Sequence, residues 1–294
     1  EIVTGDWSSD VCSSDLMLFF TQKGKCFWMR VYEIPEGSKN SKGRAIQNLI
    51  NIEQDDKVKA FICTQDLKDD DYINNHYVIM ATKMGQVKKT SLEQYSRPRS
   101  NGINAITIKD GDELLEAKLT NGNSQIMLAV KSGKAIRFEE SKTRPMGRNA
   151  SGVRGIRLKD NKDEVVGMIS VNDMDANILV VSENGYGKRS SLEDYRLTNR
   201  GGKGVKTISI TTKTGQLVSL KSVTDSDDLM IINKSGIAIR MQVADLRVMG
   251  RATQGVKVIS IKDGDGIAAV AKVMNDEEEI EDINDIEFTG DTIK

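Results

Sequence analysis

One pattern recurs five times along the 294 residues, and any fold proposed for the chain has to account for it. Each copy opens with a short apolar run: Leu18-Phe19-Phe20, Tyr77-Val78-Ile79-Met80-Ala81, Ile126-Met127-Leu128-Ala129-Val130, Ile178-Leu179-Val180-Val181 and Leu229-Met230-Ile231-Ile232. Runs of this length are too short for helices and read as strands buried on both faces. A glycine follows each run, at Gly24, Gly85, Gly133, Gly185 and Gly236, and then a second short strand such as Lys134-Ala135-Ile136-Arg137-Phe138. The turns between them, Lys-Ser-Gly-Lys and Glu-Asn-Gly-Tyr among them, are hairpin turns in which Gly and Asn supply positive φ.

A second glycine opens a further apolar strand in every copy, at Gly43, Gly102, Gly152, Gly204 and Gly255. It lies 19, 17, 19, 19 and 19 residues after the first. Longer echoes keep the same register: SLEQY at 91–95 against SLEDY at 191–195, and MGRNASGV at 146–153 against MGRATQGV at 249–256. A unit of about 50 residues with about four short strands is the blade of a propeller-like array. The expected fold is all-β, with about five blades over residues 17–274 and almost no helix. A single β-sandwich would leave the recurring interval unexplained.

The near-zero net charge, 42 Lys and Arg against 43 Asp and Glu, conceals an uneven distribution. Residues 1–16 hold four acids and no base, and residues 275–294 hold nine acids with Lys294 alone opposing them. The remaining body has 41 bases and 30 acids, which points to a polyanionic partner. The bases also fall in columns. Four residues after the hairpin glycines stand Trp28, Lys89, Arg137, Arg189 and Arg240. Four residues before the second glycines stand Lys39, Pro98, Arg148, Arg200 and Arg251, with Arg97 and Arg99 flanking the proline. At the overall frequency of 42 in 294, a column of five should hold fewer than one base. A third column contains Arg154, Lys206 and Lys257, and Lys88, Lys188 and Lys203 add charge beside these positions. Equivalent positions on successive blades lie at equivalent heights, so the columns describe a basic belt suited to duplex DNA. Such a belt neutralises phosphates without reading bases.

Catalytic chemistry has little to stand on. The single His76 excludes most histidine-dependent schemes, and no G-x-S-x-G, Walker A or H-E-x-x-H pattern occurs. Asp-Gly-Asp at 110–112 and 263–265 reads as turns rather than calcium loops. Cys12, Cys26 and Cys63 form no C-x-x-C pair and fit a reduced, cytoplasmic setting, with no metal or other cofactor implied. Tyr95, Tyr186 and Tyr195 read as packing residues. The most apolar stretch, Met17 to Tyr32, is interrupted by Lys23, Lys25 and Arg30, so no membrane span is expected. Residues 1–16 match no repeat and lack the features of a secretory signal, and they are read as a non-native or disordered leader. Residues 275–294 cannot bury a core and read as a disordered acidic tail.

The runs YEIPEGSKNSKGRAIQNLINIEQDDKVKAFI at 32–62, GQVKKTSLEQY at 85–95, MGRNASGVRGIRL at 146–158 and NGYGKRSSLEDY at 184–195 resemble the C-terminal domain of the bacterial gyrase A family. The similarity runs over about residues 17–274. It implies a β-pinwheel, in which neighbouring blades exchange strands, and a rim that wraps double-stranded DNA to support ATP-dependent negative supercoiling. It also implies two partners in a full enzyme: a catalytic part upstream in the same polypeptide, and a separate ATPase polypeptide. The family's diagnostic Gln/Arg-rich box ending Gly-Gly-Lys-Gly belongs to a first blade that this chain is expected to lack. Asn199-Arg200-Gly201-Gly202-Lys203-Gly204 is similar to it but falls in a later repeat. A topoisomerase IV A-type domain, which has no such box, therefore stays open, as does a propeller that serves as a protein scaffold.

Overall fold

Each apolar run pairs with the segment after its glycine as an antiparallel hairpin, as in Tyr77–Thr82 against Gln86–Ser91. The computed structural model describes residues 16–37, 43–64, 67–262 and 264–273. Of the leader expected over residues 1–16, Leu16 instead opens the first strand, and the rest, with Lys39, Asp263 and the acidic tail, lies outside the described residues.

Five sheets follow one another along the chain, each built on one hairpin. In the first sheet the order is Val58–Thr64, Leu16–Thr21, Lys25–Arg30, Ile103–Asn104. The last of these strands, only two residues long, comes from the second repeat. Val153–Arg154 of the third repeat completes the second sheet in the same way. Val205–Lys206 completes the third and Val256–Lys257 the fourth. The fifth sheet, Ala238–Gln242, Asp228–Asn233 and Ile267–Val273, receives no such strand among the described residues. Neighbouring blades thus exchange strands, and the chain forms a five-bladed, propeller-like ring with one short α-helix, Asp70–Asn75, among the described residues.

The long strand after each exchanged segment packs on its counterparts in the adjacent repeats: Val58–Thr64 on Leu114–Thr120, then Val165–Val171, Leu217–Val223 and Ile267–Val273. These strands converge on the axis, so the hairpins and exchanged strands lie outward and make the rim.

The period-2 alternation of side chains divides every central strand between two junctions. Val78 and Met80 pack toward the first blade, while Ile79 and Ala81 pack toward the third. Ile126 and Leu128 face the second blade, and Met127 and Ala129 face the fourth. This is why the runs are continuously apolar. Each Leu, Ile or Phe buried at a junction contributes roughly 2 kcal/mol. An exposed pair such as Lys23 with Glu53, 2.7 Å apart, contributes far less, because water screens it.

The two ends of the array differ. On the first blade, Met17, Phe19, Phe27 and Met29 are covered by Ile46, Leu49, Ile50 and Ile52 of the same repeat. In this repeat the segment after the second glycine folds back on its own blade as a cap. On the fifth blade, Leu229 and Ile231 are buried against the fourth, whereas Met230 and Ile232 on the opposite face are only half-buried.

All ten register glycines have φ between 66° and 86°, in the left-handed region. At Gly152 a Cβ would lie 2.5 Å from the Val87 carbonyl oxygen, so the exchanged strand meets the preceding blade with no room for a side chain. Around Gly43 and Gly236, at the two ends, nothing lies within 4 Å of that position.

Candidate nucleic-acid interface

The basic columns are positioned by the hairpins, and the hairpins point them to two different places. The column four residues past the hairpin glycine sits on the outer hairpin strand and reaches across the junction to the next blade. Trp28 donates from Nε1 to the Tyr95 carbonyl at 3.0 Å. Arg137 donates to the carbonyls of Leu192 at 2.8 Å and Tyr195 at 3.1 Å, and holds the Gln125 side chain at 2.6 Å. Arg189 donates to the Leu246 carbonyl and pairs with Asp225. Lys89 is buried against the ring of Tyr77 and pairs at 2.8 Å with Glu140, itself fully buried. Arg240 pairs instead with Asp228 of its own hairpin at 2.6 Å.

A column that looks in sequence like a belt for phosphates is, in structure, a row of clamps between blades. Lys89 and Arg189 are only 4% and 6% exposed, which takes them out of any rim surface. Lys88 and Lys188 are fully buried as well. The physical reason is local: Trp28, Arg137 and Arg189 sit opposite the carbonyls that end the next blade's 3-10 turn, which need a donor, and Lys89 sits opposite Glu140 in such a turn.

The column four residues before the second glycine lies outside these junctions. Arg200 donates to the carbonyls of Lys142 and Arg154, both at 3.0 Å. Arg251 donates to the Lys206 carbonyl at 2.8 Å. Each bond brings a second-column arginine against the third-column base of the preceding repeat, giving rim pairs of Arg154 with Arg200 and Lys206 with Arg251. A guanidinium has five N–H donors, so these carbonyl bonds leave others for a ligand. Arg148, Arg200 and Arg251 are half-buried, and Arg97, Arg99, Arg154, Lys203, Lys206 and Lys257 are exposed.

A further column belongs to this surface and is missed by the sequence reading. Arg144, Arg196 and Arg247, each eight residues before the second glycine, are all exposed. The signal is present but weaker, because the shortened second repeat puts Gln94 at that place. A cavity of about 170 Å3 between the third and fourth blades is lined by Arg196, Asn199, Gly202, Lys203 and Gly204. In that segment the Gly201 amide donates to the Gly155 carbonyl and the Gly202 carbonyl accepts from the Arg157 amide. The glycines therefore zip the exchanged strands of two repeats together beside the exposed Lys203.

The remaining candidates are structural. Asp112 accepts the amides of Met84 and Glu113, which caps the second hairpin turn as the turn reading expects. Tyr95 and Tyr195 are buried at junctions. Burial also pushes the Cys26 thiol well above its usual range, so it stays protonated. Among the described residues no His, Cys, Asp and Glu cluster could hold a metal ion, and no helix is long and apolar enough to cross a membrane.

The repeat units coincide with a known family. The family described as "DNA gyrase C-terminal domain, beta-propeller" matches at residues 15–65, 76–121, 125–172, 176–224 and 227–274, one segment per blade. The chain belongs to this gyrase C-terminal domain family. The DNA gyrase A polypeptide of Staphylococcus aureus strain NCTC 8325 is 44% identical over 267 residues, 90% of this chain and 29% of that protein. Its counterpart in strain MRSA252 is 44% identical over 90% of this chain and 30% of its own length. The chain thus spans less than a third of the curated relatives it matches. Among solved structures, a topoisomerase IV C-terminal domain aligns with a TM-score of 0.80 at 26% identity, over 89% of this chain and 80% of that one. A gyrase A C-terminal domain aligns with a TM-score of 0.76 at 23% identity, over 92% and 90%, a likeness of fold.

Proposed function

We propose that this domain binds duplex DNA around its rim, without sequence preference, and bends it into a wrap of fixed hand within a gyrase-type topoisomerase. The observation that carries the reading is the pairing of rim bases at successive blade junctions, Arg154 with Arg200 and Lys206 with Arg251. Charges repeated once per blade on a curved surface offer phosphate contacts along a curved path, and distributed contacts of this kind offset the elastic cost of bending. The proposed rim surface consists of Arg97, Arg99, Arg144, Arg148, Arg154, Arg196, Arg200, Lys203, Lys206, Arg247, Arg251 and Lys257. Arg240 sits beside it on the fifth blade, and Lys39 extends the second column in sequence. In the full enzyme, strand passage falls to the catalytic part upstream and ATP hydrolysis to a partner polypeptide, while this domain biases which DNA segment is presented.

The test is to seal a nicked plasmid with ligase in the presence of the domain and measure linking number. A wrap shifts the topoisomer distribution in one direction, in proportion to bound protein, and the shift disappears as salt rises. An unshifted distribution under saturating protein removes the wrapping reading. A topoisomerase IV-type assignment draws on the close fold match to that enzyme's C-terminal domain. It predicts binding of similar salt dependence with no net shift in linking number.

A further inference from the structure

The junctions between blades are of two kinds, and the difference lies in the residue three places after the hairpin glycine. This place faces the first and third junctions as Lys88 and Lys188, opposite Met80 and Val180, and the second and fourth as Ile136 and Ile239, while Phe27 packs under the folded-back segment of the first blade. Both lysine side chains are fully buried. The Lys88 ammonium donates to the Ala105 carbonyl at 2.5 Å and to the carbonyl of Arg148 in the next repeat. The Lys188 ammonium donates to the Gly250 carbonyl at 2.7 Å and to Thr253 Oγ1 at 3.1 Å.

The loops they reach are the two that share the Met-Gly-Arg motif, 146–148 and 249–251. A second contact from the same blade joins each one. The Arg148 amide donates to Gln94 Oε1 at 3.1 Å, and the Arg251 amide donates to Asp194 Oδ2 at 3.3 Å. Gln94 and Asp194 occupy the same place in SLEQY and SLEDY. The two sequence echoes are thus the two halves of one contact, repeated at alternate junctions.

We propose that Lys88 and Lys188 are positioning residues, which fix the arginine-bearing rim loops 146–152 and 249–255 so that Arg148 and Arg251 are held ready for a DNA phosphate. The inference rests on the rim reading above. Neither ammonium reaches the surface, so neither lysine neutralises a phosphate itself. Their influence on DNA passes through the carbonyls they hold, one of them that of Arg148 and the other that of the residue before Arg251. Holding these loops in place spares DNA binding the entropy of ordering them. The third blade achieves the same end differently: Arg200 bonds its own loop to the carbonyls of Lys142 and Arg154, above an apolar Ile136.

The experiment is a double-mutant cycle in DNA affinity, measured against salt at temperatures where melting curves show every variant folded. R148A is expected to weaken binding several-fold and lower the salt slope by about one. K88M should lower affinity and slope similarly although it removes a charge that faces no phosphate, and should add nothing in the R148A background. Trypsin should cut after Arg148 faster in K88M than in the parent, with no change after Arg200. If K88M does not fold, K188M with R251A gives the same cycle at an independent junction. An unchanged affinity in K88M and K188M, or losses that add fully to those of the arginine variants, overturns the positioning role. If R148A and R251A themselves bind like the parent, the rim reading fails first and this inference falls with it.

Discussion

A lysine or arginine in this fold is assigned by what stands opposite it. Lys89, Arg137 and Arg189 face backbone carbonyls or acids of the next blade, whereas Arg154, Lys206 and Lys257 face solvent. Replacing Lys89 or Arg189 with methionine is therefore expected to lower the melting temperature while leaving DNA affinity per folded molecule unchanged. Replacing Arg154 and Arg200 together with alanine should do the opposite, reducing the salt slope by about two with little change in melting. Titration at moderate and high salt alongside thermal melts separates the two outcomes. The columns themselves are legible in sequence, but their meaning is not. Frequency at a register position reports that a cation is needed there and cannot say whether it faces a phosphate or a carbonyl. Lys88 and Lys188 carry a second consequence. Burial, reinforced at Lys88 by nearby Arg148, lowers their pKa to about 7 and about 8. In the unfolded chain these lysines keep their protons up to the ordinary value of 10.5. Between about pH 7 and 10.5 the unfolded state therefore binds more protons, so stability from this source rises with pH across that window and is level below it. The urea midpoint of the parent relative to K88M should increase from about pH 6.5 to about pH 9.5. A constant difference would mean that Lys88 remains charged inside the fold.

At the scale of the element, the hairpins are readable from sequence and the exchanged strands are not. A run such as Ile178–Val181 followed by Gly185 states its own structure, because the apolar length and the positive-φ turn are both local. Val153–Arg154 or Val205–Lys206 is two residues long, and two residues have no periodicity to read. Only the glycine before each marks the place, and its reason becomes visible when the neighbouring blade is present. Gly152 must accept both a φ of 85° and the Val87 carbonyl, whereas Gly236 must accept only its φ of 86°. Gly152→Ala is expected to destabilise by about 2–4 kcal/mol, combining left-handed strain with a backbone clash. Gly236→Ala should cost about 1 kcal/mol. Equal costs in chemical denaturation would show that the close approach at Gly152 relaxes without penalty.

Among the described residues the five blades form a one-dimensional array that is covered at the first blade and uncovered at the fifth. Every blade from the second to the fourth is covered on both faces and completed by a strand from its successor. The first is covered by its own folded-back segment, in which Ile46, Leu49, Ile50 and Ile52 lie on Phe19 and Phe27. The fifth has a half-buried outer face at Met230 and Ile232 and an outermost strand, Ala238–Gln242, with alternating exposure and no strand beyond it among the described residues. In such arrays stability is close to a sum of blade and junction contributions, and a terminal unit lacking one junction opens first. Amide exchange should accordingly be fastest in Ala238–Gln242, slower in the equivalent strand Lys134–Glu139, and graded from the fifth blade inward rather than uniform. Adding denaturant below the main transition should release the fifth blade before the others. Because Val256–Lys257 completes the fourth sheet and Gly250 and Arg251 are tied to Lys188 and Lys206, Arg251 and Lys257 should keep their share of DNA affinity through the same partial opening. Single-step loss of exchange protection in all five blades at once would show that the junctions couple the ring too tightly for its fifth blade to act alone.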